Sequence, residues 1–285
     1  MKLKKLHRTL LIILAITLST AIISGIATSA FGSYHFQEYM KNQELSVTSL
    51  EMETKDIPKG IESLIIRDVV YHVTVQVSES EKATISYPKK LINVEVREQG
   101  VEIIGKNSKR NWFWDWDWAP WFHNGNAGNI VVTLPKSALK LLEIANNVGD
   151  VSIKNLSTTT AIFGDGVGNI TVDGLEVTEK LTVKGGVGNT YLNTITGSPR
   201  VKINMGVGNI NINEMKATEV EVDGGMGNVD IENLHADTLD FNAGVGNLTL
   251  RKSNLKLLKG DRGLGDVKIS HDCQIEQNRF SVSYE

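Results

Sequence analysis

The sequence predicts an all-β protein, a parallel β-solenoid preceded by one transmembrane helix. The first observation is a phrase, Gly-x-Gly-Asn, that recurs about every 20 residues through the C-terminal half of the chain. A fixed period in this range is typical of repeat proteins, in which one short unit stacks on copies of itself. The second observation is that apolar and polar residues alternate on both sides of each phrase, which predicts two short strands per coil. Both a right-handed and a left-handed winding fit this pattern.

The repeated phrase predicts a tight corner. Two glycines around one apolar residue favour a backbone with positive φ, and Asn tolerates that conformation better than other side chains. Stacked coils would place the Asn side chains about 4.8 Å apart, so we expect their amides to hydrogen-bond along the stack. Degenerate copies end at Asn129, Asp150 and Asp266. The complete copies place the corner at Gly168, Gly188, Gly208, Gly227 and Gly246, followed by Asn169, Asn189, Asn209, Asn228 and Asn247.

One more apolar residue follows each corner at a constant distance. It is expected to fill a third wall or a second corner of the coil, because it continues the inward-facing pattern beyond the strand. These residues are Leu156, Leu175, Ile195, Met215 and Leu234.

The N-terminus predicts a membrane anchor. Residues 10–31 contain no charge, and about 22 residues at ~1.5 Å each would cross the ~30 Å hydrocarbon layer. The basic residues in 1–9 predict a cytoplasmic tail, which places the rest outside the cytoplasm as a single-pass protein of the cell membrane. A cleaved signal peptide is the alternative, since Thr28-Ser29-Ala30 resembles a cleavage site. The apolar run is longer than the ~7 to 15 residues of the apolar h-region of a signal peptide, which favours the anchor.

The remaining chain divides into a linker and the solenoid. Residues 32–60 are polar and weakly periodic, as expected of a juxtamembrane linker. Residues 61–285 form the solenoid, with irregular leading strands in 61–127 and regular coils in 128–285. The leading segment has short stretches of period-two alternation without the glycine phrase. We expect it to cover the strand edges that an open solenoid end would expose.

All five tryptophans lie in residues 112–122. In a strand, Trp112, Trp114, Trp116 and Trp118 would share one face. Three interpretations remain open: a flap that seals the early coils, an aromatic surface at the membrane interface, or a platform for glycans. A large apolar cluster is either buried or used for binding, so these four residues are candidate ligand-binding residues.

The sequence contains few residues or motifs that indicate catalysis or metal binding. The six histidines are scattered without zinc-ligand spacing, and no nucleophile elbow, Walker loop or HExxH motif occurs. We therefore expect neither a metal nor a cofactor. The net charge is −3 although the N-terminus is basic, so the rest of the chain is acidic, which argues against a nucleic-acid partner. The single cysteine, Cys273, is expected to be a small buried residue and not a nucleophile.

One group of carboxylates resembles an enzyme site. Glu221, Asp223 and Asp240 are expected on one outward face of adjacent coils, near Lys202 and Asn242. Paired carboxylates a few ångströms apart are what glycoside hydrolysis requires. The other interpretation is a solvated face that Lys202 partly neutralises.

The anchor, the irregular leading segment, the Trp-rich insertion and the Gly-Val-Gly-Asn coils together resemble the bacterial putative-adhesin family of unknown function. Its members include the Lia-type membrane proteins encoded with cell-envelope stress systems of Gram-positive bacteria. The resemblance implies a β-solenoid and gives no catalytic residues.

The expected function is therefore that of a membrane-anchored, extracytoplasmic protein of the bacterial cell envelope. Its role would be non-enzymatic, either adhesin-like binding or a part in envelope stress. Expected partners are the membrane that anchors the chain and a cell-wall polymer, a lipid surface or another envelope protein. The alternative is a carbohydrate-active β-helix enzyme acting on a wall or surface glycan.

Overall fold

The computed structural model describes residues 51–80, 82–106, 129–145, 147–164, 166–204, 206–242, 244–261 and 263–280. No helix among these residues is long and apolar enough to cross a membrane. The predicted transmembrane helix at 10–31 and the tryptophan segment at 112–122 lie outside them, so both stay predictions.

The described residues contain 19 strands, all joined by backbone hydrogen bonds. In chain order these are β1 (Met52–Ile57), β2 (Ser63–Arg67), β3 (Val73–Ser78), β4 (Ala83–Pro88), β5 (Ile92–Arg97), β6 (Gly100–Gly105), β7 (Ile130–Pro135), β8 (Ala138–Ala145), β9 (Val151–Gly164), β10 (Ile170–Lys184), β11 (Thr190–Thr196), β12 (Arg200–Asn204), β13 (Ile210–Lys216), β14 (Glu219–Asp223), β15 (Val229–Asn242), β16 (Leu248–Arg251), β17 (Asn254–Lys259), β18 (Val267–Ile269) and β19 (Gln274–Asn278).

Two parallel walls run along the solenoid. Wall A consists of the strand segments that follow each glycine corner, and wall B of the segments that precede the next corner. In wall A, β11 pairs with β10 on one side and β13 on the other. In wall B, β12 pairs with β10 and β14. All of these pairs are parallel, which confirms the predicted parallel β-solenoid.

A second corner joins wall A to wall B within each coil. One residue there has a left-handed backbone, with φ between 48° and 74°, which turns the chain inward. The next residue is apolar and buried in each of the five coils where we predicted it, from Leu156 to Leu234. The left-handed residues form a column of Asn155, Gly174, Thr194, Glu214, Asn233 and Lys252.

The N-terminal strands are not stacked in chain order. In wall B, β2 lies between β6 and β8, and in wall A, β3 lies between β7 and β9. Antiparallel strands then end both walls: β5 pairs with β6, β4 with β7, and β1 with β4. Antiparallel strands of the leading segment therefore lie at the end of both parallel walls.

Strand β1 corrects the predicted linker boundary at residue 60. Residues Met52–Ile57 pair with β4, although the sequence placed them in the linker. Of the six side chains in β1, only Ile57 is buried, so the strand shows no apolar alternation. It is held as an edge strand by backbone hydrogen bonds, which leave no mark on sequence periodicity.

An aromatic side chain closes the core towards the C-terminus. Phe280 is 9% exposed, and its ring centroid lies 6.5 Å from that of Phe241. Gly260 stacks directly above Phe241, where a Cβ would collide with the Phe241 carbonyl. Phe280 therefore covers the inward-facing ring of Phe241 at this end of the core.

The left-handed column predicts a stabilising substitution. Thr194 has a φ of 53°, which is unfavourable for a β-branched residue. Thr194→Asn should stabilise the protein by about 0.5–1 kcal/mol, because Asn tolerates this conformation and already occupies it at Asn155 and Asn233. The measurement is urea unfolding of the full chain. Thr196→Asn, in the same strand but without positive φ, is the control and should not stabilise. Equal effects at the two positions would contradict this account.

Candidate functional site

Each glycine corner needs its two glycines for different reasons. Gly188 has a φ of 144°, and a Cβ there would also collide with the carbonyl of Gly168 in the preceding coil. Gly186 has no positive φ, but a Cβ on it would collide with the carbonyl of Gly166. The absence of side chains lets successive coils approach to strand spacing at a turn, with backbone hydrogen bonds of about 2.9 Å between them.

The asparagines of the corners form a hydrogen-bonded ladder. The Asn209 N–H donates to Oδ1 of Asn189 at 2.9 Å, and the Asn228 N–H donates to Oδ1 of Asn209 at 2.9 Å. Asn169 and Asn247 continue the same pattern. The detail differs from our expectation of amide-to-amide bonds, because each side chain accepts from the main chain of the next coil. The asparagines have no positive φ either, since the second glycine takes that conformation.

Charged or ionisable residues stand at both ends of this ladder. Asp150 Oδ1 accepts from the Asn169 N–H at 2.8 Å, and Asn247 Oδ1 accepts from the Asp266 N–H at 2.9 Å. Below Asp150, the Nδ1 atom of His72 accepts from the Asp150 N–H at 2.9 Å. His72 thus accepts the same main-chain hydrogen bond that a corner asparagine accepts in the later coils. Sequence reasoning missed it because no glycine precedes it; its position directly before β3 was the available signal.

The middle residues of the phrases form an exposed apolar column. Val167, Val187, Val207, Met226 and Val245 are each 45–53% exposed, and Leu264 is 73% exposed. Successive members are joined by parallel β-bridges, which extend down to Val148.

Val70 adds a further position to this column. The Val187 N–H donates to the carbonyl of Gly166 at 3.0 Å. In the same way the Val148 N–H donates to the carbonyl of Val69 at 2.8 Å, so Val70 occupies the middle position of its coil. Val70 is 40% exposed. We call the whole column the apolar ridge; it consists of Val70, Val148, Val167, Val187, Val207, Met226, Val245 and Leu264.

Sequence reasoning read the middle residue of the phrase only as part of a turn and missed the ridge. The signal was present, because a residue between two corner glycines faces solvent and would ordinarily be polar. Eight coils at about 4.8 Å give the ridge a length of about 34 Å. Contiguous exposed apolar surface of this kind commonly marks an interaction site.

The three carboxylates of the enzyme hypothesis do lie together on the outer face of wall B, but each has a lysine partner. Lys202 Nζ lies 2.7 Å from Glu221 Oε1 and 3.1 Å from Asp223 Oδ2. Lys259 Nζ lies 2.8 Å from Asp240 Oδ2. The arrangement is an ion-pair network across neighbouring coils.

Asp223 is poorly suited to act as a general acid. Burial raises the pKa of its carboxyl, but hydrogen bonds from Lys202 and Asn242 outweigh burial, so the pKa lies below its usual value. A catalytic acid at neutral pH needs a raised pKa. Asp223 therefore stays ionised and serves the ion-pair network.

The described part of the chain supports neither a metal site nor a reactive cysteine. Within it, no group of three His, Cys, Asp or Glu residues could hold a metal ion. Cys273 is partly buried, and burial raises the pKa of its thiol. The thiolate, which is the reactive form, is therefore scarce at neutral pH.

The tryptophan candidates Trp112, Trp114, Trp116 and Trp118 lie outside the described residues. The chain enters their segment after Lys106, which follows β6 in wall B, and leaves it at Asn129, which precedes β7 in wall A. Their proposed role in ligand binding stays a prediction.

Fold and corner together define a class of protein, the all-β parallel solenoids that turn at stacked Gly-x-Gly-Asn corners. Comparison with protein families identifies the particular group. The family model of Toastrack DUF4097 matches residues 61–284, and the chain belongs to this family.

Three solved structures are similar to this chain. A putative adhesin from Bacteroides fragilis NCTC 9343 is 24% identical, with 77% of this chain and 97% of that chain covered and a TM-score of 0.52. A putative lipid binding protein from Parabacteroides distasonis ATCC 8503 is 16% identical, with 82% and 96% covered and a TM-score of 0.45. A putative adhesin from the same organism is 13% identical, with 82% and 94% covered and a TM-score of 0.30. At 24% identity the first likeness shows the fold alone. A comparison with curated proteins gave no match.

The ladder predicts different outcomes for two substitutions of one residue. Asn209→Leu removes the acceptor of the Asn228 N–H and should cost about 1–2 kcal/mol of unfolding free energy. Asn209→Asp keeps an acceptor oxygen, as Asp150 does in the same column, and should cost less than half as much. Urea unfolding of the full-length variants measures both. If the two variants lose equal stability, the hydrogen bond to the next coil is not what the side chain contributes.

Proposed function

We propose that this chain is a non-enzymatic binding protein of the bacterial cell envelope, anchored by residues 10–31 with its solenoid outside the cytoplasm. The observation that carries the binding role is the apolar ridge. The uncharged N-terminal segment and the basic residues before it support the anchor. The resemblance to Lia-type proteins supports a role in the response to envelope stress.

The ridge is suited to bind a long, regular partner. Its valines are β-branched and stiff, so holding them in place on binding costs little conformational entropy. Its backbone groups already pair with neighbouring coils, so a partner would contact side chains and not add a strand. A second copy of the chain fits poorly, because a stripe one residue wide and about 34 Å long falls short of the ~800 Å² per partner of a standard interface.

We therefore propose a cell-wall polymer as the partner of the ridge. A linear polymer can follow the solenoid axis and touch each coil in turn, which sums many weak contacts. The name putative adhesin of the Bacteroides fragilis protein agrees with such a role. The alternative of a carbohydrate-active enzyme has less support, because Glu221, Asp223 and Asp240 are all ion-paired with lysines.

The proposed topology predicts the outcome of protease treatment. Protease added to intact cells with a permeable wall should digest the solenoid, whereas a cytoplasmic reporter protein should survive. The mature chain should retain Met1 or Lys2, which N-terminal sequencing can determine. A mature N-terminus near Phe31 would show that the anchor is cleaved.

The ridge predicts the effect of surface substitutions on binding. The double variant Val187→Thr/Val207→Thr keeps the β-branched shape but replaces a methyl by a hydroxyl at two half-exposed positions. Co-sedimentation of the detergent-solubilised full chain with insoluble wall fragments should weaken by about fivefold or more, with an unchanged melting temperature.

The matched control is Met52→Thr/Leu91→Thr, which alters two exposed apolar residues away from the ridge. This control should sediment like the parent chain. Equal losses in both variants, or no loss in the ridge variant, would refute the role of the ridge. Sedimentation with lipid vesicles in place of wall fragments would point to a lipid surface as the partner.

A further inference from the structure

The outer face of wall A carries a patch of uncharged polar side chains beside the asparagine ladder. Two columns of outward residues run across β9, β10, β11 and β13, and the register of these strands aligns them. We call the patch the neutral face; it consists of Ser152, Thr171, Tyr191, Asn193, Asn211 and Asn213.

Charge distinguishes this patch from its surroundings. The only charged residues in the same stretch of the two columns are Lys154 and Asp173, which have opposite signs and are neighbours in register. The next coils of wall A carry Asp230 and Glu232, both paired with Arg251. The outer face of wall B carries the lysine–carboxylate network. The neutral face is therefore a local feature and not the average surface of the solenoid.

Several polar groups of the neutral face have no partner among the described residues of the surrounding coils. Across residues 147–164, 166–204 and 206–242, the side chains of Thr171, Tyr191, Asn193 and Asn211 make no hydrogen bond or ion pair. Tyr191, in the middle of the patch, is 36% exposed. The patch thus combines one aromatic ring with free amide and hydroxyl groups on a rigid sheet.

We propose that the neutral face binds an uncharged polysaccharide chain that runs along the solenoid axis. Amides and hydroxyls match the donors and acceptors of sugar hydroxyls, and the ring of Tyr191 offers an apolar surface for the C–H face of a pyranose. This inference rests on the proposed binding function, because it names the chemistry of the polymer that the adjacent ridge would also touch.

The geometry favours a polymer over a single sugar. The columns repeat at about 4.8 Å, so successive coils offer similar groups at regular intervals. Each contact is weak in water, but contacts made by one linear ligand act together, and affinity should rise steeply with chain length. An anionic polymer would instead need a basic patch, which these columns do not form in the described coils.

The test uses the detergent-solubilised full chain and affinity electrophoresis in native gels. The gels contain a β-glucan, a mannan or a polymer of N-acetylglucosamine, with polyglycerol phosphate as the anionic comparison. At least one neutral polysaccharide should retard the chain, with little dependence on salt. The hexasaccharide of that polymer should compete at least about tenfold better than the disaccharide.

Variants connect this binding to the neutral face. Tyr191→Ala/Asn193→Ala should weaken retardation by about tenfold, since it removes the stacking surface and one amide. The control Thr238→Ala/Asn242→Ala removes a similar pair from the outer face of wall B and should bind like the parent. Asn193→Asp adds a charge without changing shape, and should bind more weakly; because Asp173 is its neighbour in register, its melting temperature is measured alongside to confirm that it is folded.

The outcomes separate this inference from the proposed function. The inference is overturned if no neutral polysaccharide retards the chain, if only polyglycerol phosphate does so, or if Tyr191→Ala/Asn193→Ala and Asn193→Asp bind like the parent. In that case, wall-fragment binding that still depends on Val187 and Val207 would leave the proposed function standing. If the parent chain binds neither wall fragments nor any neutral polysaccharide, both proposals are refuted.

Discussion

The structure depends on the close approach of successive coils at the glycine corner. Parallel strands can stack at about 4.8 Å along a wall with any side chains, but a turn at the same spacing brings carbonyl groups against the next Cα. At Gly186 and Gly188 a Cβ would collide with such a carbonyl, and Gly188 also needs its positive φ. With glycine at both places the corner continues the hydrogen-bonded stack, and every coil is held in the same register as the last.

Constant register turns single residues into columns. An asparagine after each corner always meets the main-chain N–H of the next coil, so one side chain per coil satisfies a group that would otherwise rely on water. The ridge has the same origin, because the residue between two corner glycines points outward in every coil. A partly open pocket of about 30 Å³ lies at the corner and is lined by the glycines and valines of successive coils.

Much of this fold could be predicted from the sequence because its constraints repeat. The period, the two strands per coil and the buried residues from Leu156 to Leu234 all leave a regular apolar pattern. The left-handed column leaves none, since Thr194, Glu214 and Lys252 share a backbone conformation and no chemistry. Strand β1 and His72 were missed for a related reason. Strand β1 is held by backbone pairing with β4, and His72 by one hydrogen bond that its Nδ1 atom accepts. Neither interaction produces a repeated pattern in the sequence.

The candidate site was less predictable than the fold because the proposed binding function depends on contrast between columns of residues. The sequence drew attention to Glu221, Asp223 and Asp240 as rare groupings of reactive residues, yet the register that aligns them also aligns Lys202 and Lys259 with them. The ridge and the neutral face contain only ordinary residues. They become recognisable when stacking places eight apolar side chains in one line and uncharged polar groups beside it. In a solenoid of this kind, the residues that form one surface come from successive coils. They are adjacent in space although they lie about 20 residues apart in the sequence.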